Sequence, residues 1–197
     1  MYFVEVFPIL KSFVNCRVVK DVSDNNKGWF GQFLDSCLSD SPKNICDKDG
    51  HDFELKCVQA KVTASGHVKP SQTIAVTQFN PRKILSQSYN ESPVYCKLEK
   101  VIIVFVDYSD DRSEATILKV ASFKAEDYPD IENDFRSIKS VLEKGEISNY
   151  SSRGTSKNSL QLRTKGRGKD DCTICPVTGS KFSRRAFYLT KEFLKRI

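Results

Sequence analysis

Two periods of apolar and polar positions alternate along this chain, and each switch marks an element. In residues 26–38, Trp29, Phe30, Phe33, Leu34, Cys37 and Leu38 recur at three- and four-residue steps. That spacing predicts a helix, with Asp24 or Asn25 as its N-cap. A turn-rich stretch, SDSPKNICDKDG, follows, and then DFELKCVQAKV alternates as a strand does. Residues 73–79 read as a second strand. Residues 98–106, LEKVIIVFV, are so apolar in their second half that they predict a central strand buried on both faces. Residues 116–123 read as one more strand. Helical spacing returns over 131–144 through Ile131, Phe135, Ile138 and Leu142, closed by Gly145. Beyond Glu146 the chain is rich in Ser, Gly, Lys and Arg, with two short ordered candidates, 159–163 and 186–195, and a Gly- and Arg-rich loop between them. There is no internal repeat. This order predicts an α/β (α+β) fold with a mixed central sheet flanked by helices.

Length and charge add an organisation. A chain of 197 residues buries one substantial core, so 1–197 is expected as a single domain. The net charge is +6, but residues 153–197 carry twelve Lys or Arg against three Asp or Glu, which leaves the remainder slightly acidic. This asymmetry predicts two lobes around a cleft: a catalytic lobe over about 20–125 and a basic, polyanion-binding lobe over about 126–197. No apolar run reaches the ~18 residues of a membrane span, and the opening residues lack the clean apolar run of a signal peptide. Seven cysteines, an odd number at scattered spacings, fit reduced thiols in a cytoplasmic protein. Cys172 and Cys175 form a lone CxxC. A zinc site would need two further ligands, and His51 and His67 are distant in sequence, so two free thiols in a loop are expected.

The candidate chemistry lies in Asp47, Glu54 and Lys56. Glu54 and Lys56 are two apart on an expected strand and leave the same face, while Phe53, Leu55 and Cys57 take the other. Asp47 precedes Glu54 across a turn containing Gly50 and can swing back beside it. Converging carboxylates bind a hard cation such as Mg2+, with Mn2+ as a substitute. A nearby lysine can orient or help deprotonate water. Asp49 and Asp52 compete with Asp47 for the role of first carboxylate, and a strand with a solvated ion pair on its outer face would show the same pattern.

The surrounding blocks are NKGWFGQFLD upstream and VYCKLEKVIIVFV, SLQLRTKGRGK and RRAFYLTKEFLKRI downstream. In this order they resemble the MutH family, the mismatch-repair nicking endonuclease and its related restriction endonucleases, from about Asp24 to the C-terminus. The resemblance implies a restriction-endonuclease-like fold and a Mg2+-dependent endonuclease acting on double-stranded DNA. It implies that Asp47, Glu54 and Lys56 are the metal-binding and catalytic trio, with Asp47 and Glu54 as ligands. Asp35 stands where the family usually has a glutamate near the metal, and Lys97 matches a second active-site lysine. Lys27 and Gly28 match a Lys-Gly pair that approaches DNA. Arg163 and Lys165 match the recognition loop, with Thr164 where proline is common, and Tyr188 matches an aromatic beside the target adenine that senses its methylation. Arg184 and Arg185 are expected on phosphates. Two roles follow for a chain that is monomeric off DNA: restriction alongside a cognate methyltransferase, or mismatch-repair nicking under a MutL-type activator. A non-catalytic DNA-binding module is a third.

Overall fold

The computed structural model describes residues 1–20, 28–38, 52–152, 157–166 and 171–197. The expectations placed on Asp24, Asn25, Lys27, Asp47 and Asp49 lie outside the described residues. In chain order the elements begin with α1 (Phe3–Ser12), β1 (Arg17–Val19), α2 (Trp29–Leu38), β2 (Glu54–Val62), β3 (Val68–Pro70) and β4 (Ile74–Gln78). They continue with α3 (Pro81–Ser86), α4 (Pro93–Leu98), β5 (Val101–Tyr108), β6 (Glu114–Phe123) and α5 (Pro129–Glu143). Last come β7 (Leu160–Thr164), β8 (Cys172–Ile174), β9 (Lys181–Ser183), β10 (Arg185–Leu189) and α6 (Lys191–Arg196). The chain divides into two compact units. One comprises Met1–Gln72, Lys100–Lys124 and Ile197; the other comprises Thr73–Glu99 and Ala125–Arg196.

The first unit is built on a five-stranded sheet in the order β1-β6-β5-β2-β3. β5 runs parallel to β2 and antiparallel to β6, so the sheet is mixed, as expected. Residues 101–106 are all at most 1% exposed, which explains why they read as one unbroken apolar run. One face of the sheet is covered by α1 and α2. Val6 and Leu10 of α1, and Trp29, Phe30 and Leu34 of α2, pack onto Phe53, Leu55, Ile102, Val104 and Ile117. A fully buried side chain such as Phe30 contributes about 1.5–3 kcal/mol. Trp29 is part of this core and donates its indole N–H to the Arg112 carbonyl at 2.9 Å.

α1 was not foreseen from periodicity. Pro8 lies inside it and forgoes a backbone bond. Its N-terminus is held by two carboxylates: Glu5 accepts from the Tyr2 N–H and Asp52 from the Phe3 N–H, both at 2.8 Å. Negative charge there is favourable to the exposed donors of the first turn.

The second unit holds a three-stranded antiparallel sheet, β4-β10-β7, and a separate two-stranded ladder, β8-β9. Ile131, Phe135, Ile138 and Leu142, the stripe predicted for the helix, are the buried face of α5. Phe135 stacks on Phe187 at 6.0 Å, and Phe79 meets Phe187 at 5.6 Å. The short helices α3 and α4 begin at Asn80-Pro81 and Ser92-Pro93. Asn80 accepts from the Lys83 N–H at 3.2 Å and Ser92 from the Tyr95 N–H at 3.1 Å, each followed by proline at the first helical position. Residues 98–106 therefore do not form one strand. α4 runs to Leu98, and β5 starts at Val101.

Candidate active site and DNA-binding residues

Glu54 opens β2, and its alternation with Lys56 puts both on one face, opposite Leu55 and Cys57. In its first half β2 is paired with β5 alone among the described strands, Glu54 opposite Val101 and Lys56 opposite Ile103; β3 joins only at Ala60. The Glu54 N–H donates to the Lys100 carbonyl at 2.9 Å, which fixes the strand's start. The Glu54 carboxylate is only 2% exposed, and the Lys56 ammonium donates to its Oε1. An ionised carboxylate in such a place is costly unless an opposite charge and hydrogen bonds compensate it. The neighbours Val101 and Ile103 are fully buried, so this is not a solvated strand face.

The competing acids separate by position. Asp52 precedes the strand; its Oδ1 accepts the Phe3 N–H and its Oδ2 pairs with Lys100 at 2.6 Å. Lys100 also lies over the Phe3 ring, 5.4 Å from its centroid. Asp52 thus joins α1 to the residue before β5. Asp47 lies outside the described residues, and among those described there is no group of three or more His, Cys, Asp or Glu able to hold a metal ion. Asp35 is half-buried on α2. A Cβ at Gly31, one turn before it, would lie 4.0 Å from the Cys57 sulfur, so α2 crosses β2 on the apolar face and Asp35 starts from the side opposite Glu54. Lys97 is not at the start of a buried strand. It is half-buried in the last turn of α4, in the second unit, where positive charge suits the helix C-terminus.

The basic residues of the second unit fall into distinct environments. Arg163 is exposed near the end of β7; its Nη1 donates to the Thr73 hydroxyl at 2.7 Å, and its guanidinium lies 5.4 Å from the Tyr188 ring centroid. Register explains this: Gln161 opposes Tyr188 and Arg163 opposes Ala186, so Arg163 and Tyr188 are diagonal neighbours on one face. Leu160, Leu162, Phe187 and Leu189 fill the other face. Thr164 and Lys165 are exposed, and the Lys165 N–H is tied to the Arg184 carbonyl at 2.8 Å. Gly166 approaches Asp171 so closely that a Cβ would sit 3.0 Å from its carbonyl oxygen. Arg184 is exposed and pairs with Asp171 at 2.9 Å.

Arg185 departs from its expected place on phosphate. It is 7% exposed, donates to the Tyr150 carbonyl at 2.8 Å and lies over the Tyr150 and Phe182 rings at 5.5 and 5.8 Å. Burial lowers its pKa from the ordinary guanidinium value. A guanidinium held this way organises the protein instead of meeting a ligand.

A family model described as the DNA mismatch repair enzyme MutH matches residues 38–138, just over half of the 197 residues. The chain belongs to the MutH family. The MutH match spans Asp47, Glu54, Lys56 and Lys97 and ends before Arg163, so the recognition residues lie beyond it. Among solved structures, the MutH-family chain is similar to that of a complex of the restriction endonuclease MvaI with cognate DNA substrate. The TM-score is 0.42 at 11% identity, over 97% of this chain and 96% of that one. No curated protein matches.

Outside the predicted set, the CxxC motif spans β8 and the turn after it. Cys172 is exposed and Cys175 buried, and all six described cysteines are free thiols. Burial pushes the Cys175 thiol up, but hydrogen bonds from the Thr178 hydroxyl and the backbone at Thr178 and Val177 outweigh it and hold the pKa below the ordinary value. No described helix is long and apolar enough to cross a membrane. The residue that sequence reading missed at the candidate site is Thr73; nothing local marks it, because its partner is ninety residues away.

Proposed function

We propose that this MutH-family chain is a Mg2+-dependent, sequence-specific endonuclease that hydrolyses phosphodiester bonds in duplex DNA. One observation carries the reading: within the family-matched segment, a carboxylate is held at 2% exposure beside a lysine of the same strand face. A purely structural pair gains little from such burial, whereas functional sites use it.

The donors suit a hard cation. Glu54 offers oxygen, and the other residues on its face of β2 are Lys56, Val58, Ala60 and Val62, with no imidazole or thiolate. Asp47 is the second carboxylate of this proposal. When bound, the cation supplies Lewis-acid stabilisation of phosphate charge and makes water more acidic. Lys56 orients the attacking water and favours its deprotonation, and Lys97 neutralises the scissile phosphate; Asp35, which starts from the opposite side of the sheet, is given no part in the reaction. Lys27, Gly28, Thr164, Lys165 and Arg184 approach the DNA backbone, while Arg163 reads a guanine edge beside Tyr188.

The family's description as a mismatch-repair enzyme favours a second reading, in which cleavage is a single-strand nick released by a MutL-type activator. The test is to incubate purified protein with methylated and unmethylated plasmid in Mg2+ and to map the ends. Cuts or nicks at a recurring short sequence are expected; intact plasmid under both conditions, with and without an activator, contradicts the proposal.

A further inference from the structure

The second unit contains a small assembly that joins two of the expected site residues, Arg163 and Tyr188, to one outside that set, Thr73. Thr73 sits immediately before β4. Ala75 of β4 opposes Tyr188 of β10, and Tyr188 opposes Gln161 of β7, so the two-residue period puts Thr73, Tyr188 and Arg163 on one face of the sheet. There Arg163 is fixed from two directions. Thr73 accepts one N–H of Nη1 at 2.7 Å, and the Tyr188 ring lies under the guanidinium at 5.4 Å.

The chemistry of the holder matters. Arg184 is held by Asp171, Arg196 by Asp130 and Arg136 by Glu132, and each of those carboxylates neutralises the charge it positions. Thr73 fixes geometry without cancelling charge, and among the described residues Arg163 has no ion-pair partner. The bond to Nη1 leaves the Nε–Nη2 edge, two parallel N–H groups, uncommitted. That edge matches paired acceptors such as O6 and N7 of guanine. An unrestrained arginine would have to be ordered on binding, and a pre-ordered one loses less freedom.

We propose that Thr73 is a positioning residue for sequence reading: its hydroxyl presets the Arg163 guanidinium so that the Nε–Nη2 edge faces a guanine. The inference rests on the base-reading role proposed for Arg163.

The test uses the full chain in Ca2+, with selection from a random duplex library followed by titration on the selected and a scrambled sequence. The variants are Thr73→Val, Thr73→Ser and Arg163→Ala. Thr73→Val keeps the shape and removes the acceptor. It is expected to lower discrimination about tenfold at the base pair that Arg163→Ala ceases to distinguish. Affinity for scrambled DNA should be unchanged, and Thr73→Ser should restore the preference. If Arg163→Ala relaxes the preferred sequence and Thr73→Val does not, the positioning role falls while the reading of Arg163 stands. If Arg163→Ala leaves the preferred sequence intact, the base-reading role falls and this inference with it. A loss of affinity that is uniform over sequences and shared by Thr73→Val and Thr73→Ser also overturns it.

Discussion

The Arg185 guanidinium donates to the Tyr150 carbonyl at 2.8 Å beneath two aromatic rings, while that of Arg184, one residue earlier, lies at the surface against Asp171 at 2.9 Å. Arg184 lies between β9 and β10 whereas Arg185 opens β10 on its apolar face, so two arginines that look equivalent in sequence have different work. Arg185→Ala is expected to cost about 1.5–3 kcal/mol in chemical denaturation, because the part-buried Tyr150 carbonyl loses a charged donor. Arg184→Ala is expected to leave stability within about 1 kcal/mol, since it breaks only an exposed pair. It should weaken binding to all DNA sequences alike and flatten the salt dependence by about one contact. A DNA-binding defect of that kind in a fully stable Arg185→Ala would reverse the assignment.

Glu54 and Lys56 make an asymmetric pair, 2% and 25% exposed at their side chains. Removing the lysine takes a positive charge from beside a buried carboxylate, whereas removing the charge of the glutamate leaves an ammonium that can reach solvent. Lys56→Met should therefore destabilise the metal-free protein by about 1–3 kcal/mol and Glu54→Gln by less. Both are expected to abolish cleavage. Equal unfolding midpoints for the two variants would contradict the burial argument.

Asp52 and Asp47 are separable by function. Asp52 already serves the α1 N-terminus and Lys100. Asp52→Asn is expected to lower stability by about 1 kcal/mol and to leave cleavage in Mg2+ near normal, because its role is a helix-end hydrogen bond. Asp47→Ala is expected to do the reverse. A well-folded Asp52→Asn protein that cannot cut would make Asp52 the first carboxylate.

The turn between β5 and β6 supplies a pH signature. The Ser109 hydroxyl and then the Ser113 N–H and hydroxyl hydrogen-bond to the Asp111 carboxylate and lower its pKa to about 2. A lowered carboxylate stabilises the fold above the unfolded-state pKa of about 3.9 and loses that contribution as pH falls through about 2. NMR titration of the Asp111 carboxyl carbon should show its midpoint near 2. A midpoint at the ordinary carboxylate value would mean that the turn does not hold it.

Much of this architecture was legible because its strongest signals are local. The stripe of α5, the helix carrying Trp29 and the buried run of β5 each follow from periodicity, and the shared face of Glu54 and Lys56 follows from a spacing of two. Other parts were hidden by local contradictions. Pro8 interrupts the reading of α1, and Leu98 looks like the first residue of β5 because it is apolar, although it closes α4. Other elements carry local signals of a different kind. Asn80-Pro81 and Ser92-Pro93 are N-cap and N1 pairs, and alternation back from Leu189 and Phe187 puts Arg185 on the apolar face of β10. The pairing of Thr73 with Arg163 was beyond any local pattern, since only the β4-β10-β7 register brings them together.

The central claim, cleavage of duplex DNA by a site built on Glu54, is tested most directly by one paired measurement on the wild-type chain and Glu54→Ala. Each is assayed for cleavage of supercoiled plasmid carrying the selected sequence in Mg2+, and for binding to the same sequence in Ca2+. The account predicts that the wild type cuts or nicks the plasmid, and that Glu54→Ala binds within a few-fold of wild type and leaves the plasmid supercoiled, with cleavage reduced by about a hundredfold or more. Cleavage by Glu54→Ala at the wild-type rate would contradict it.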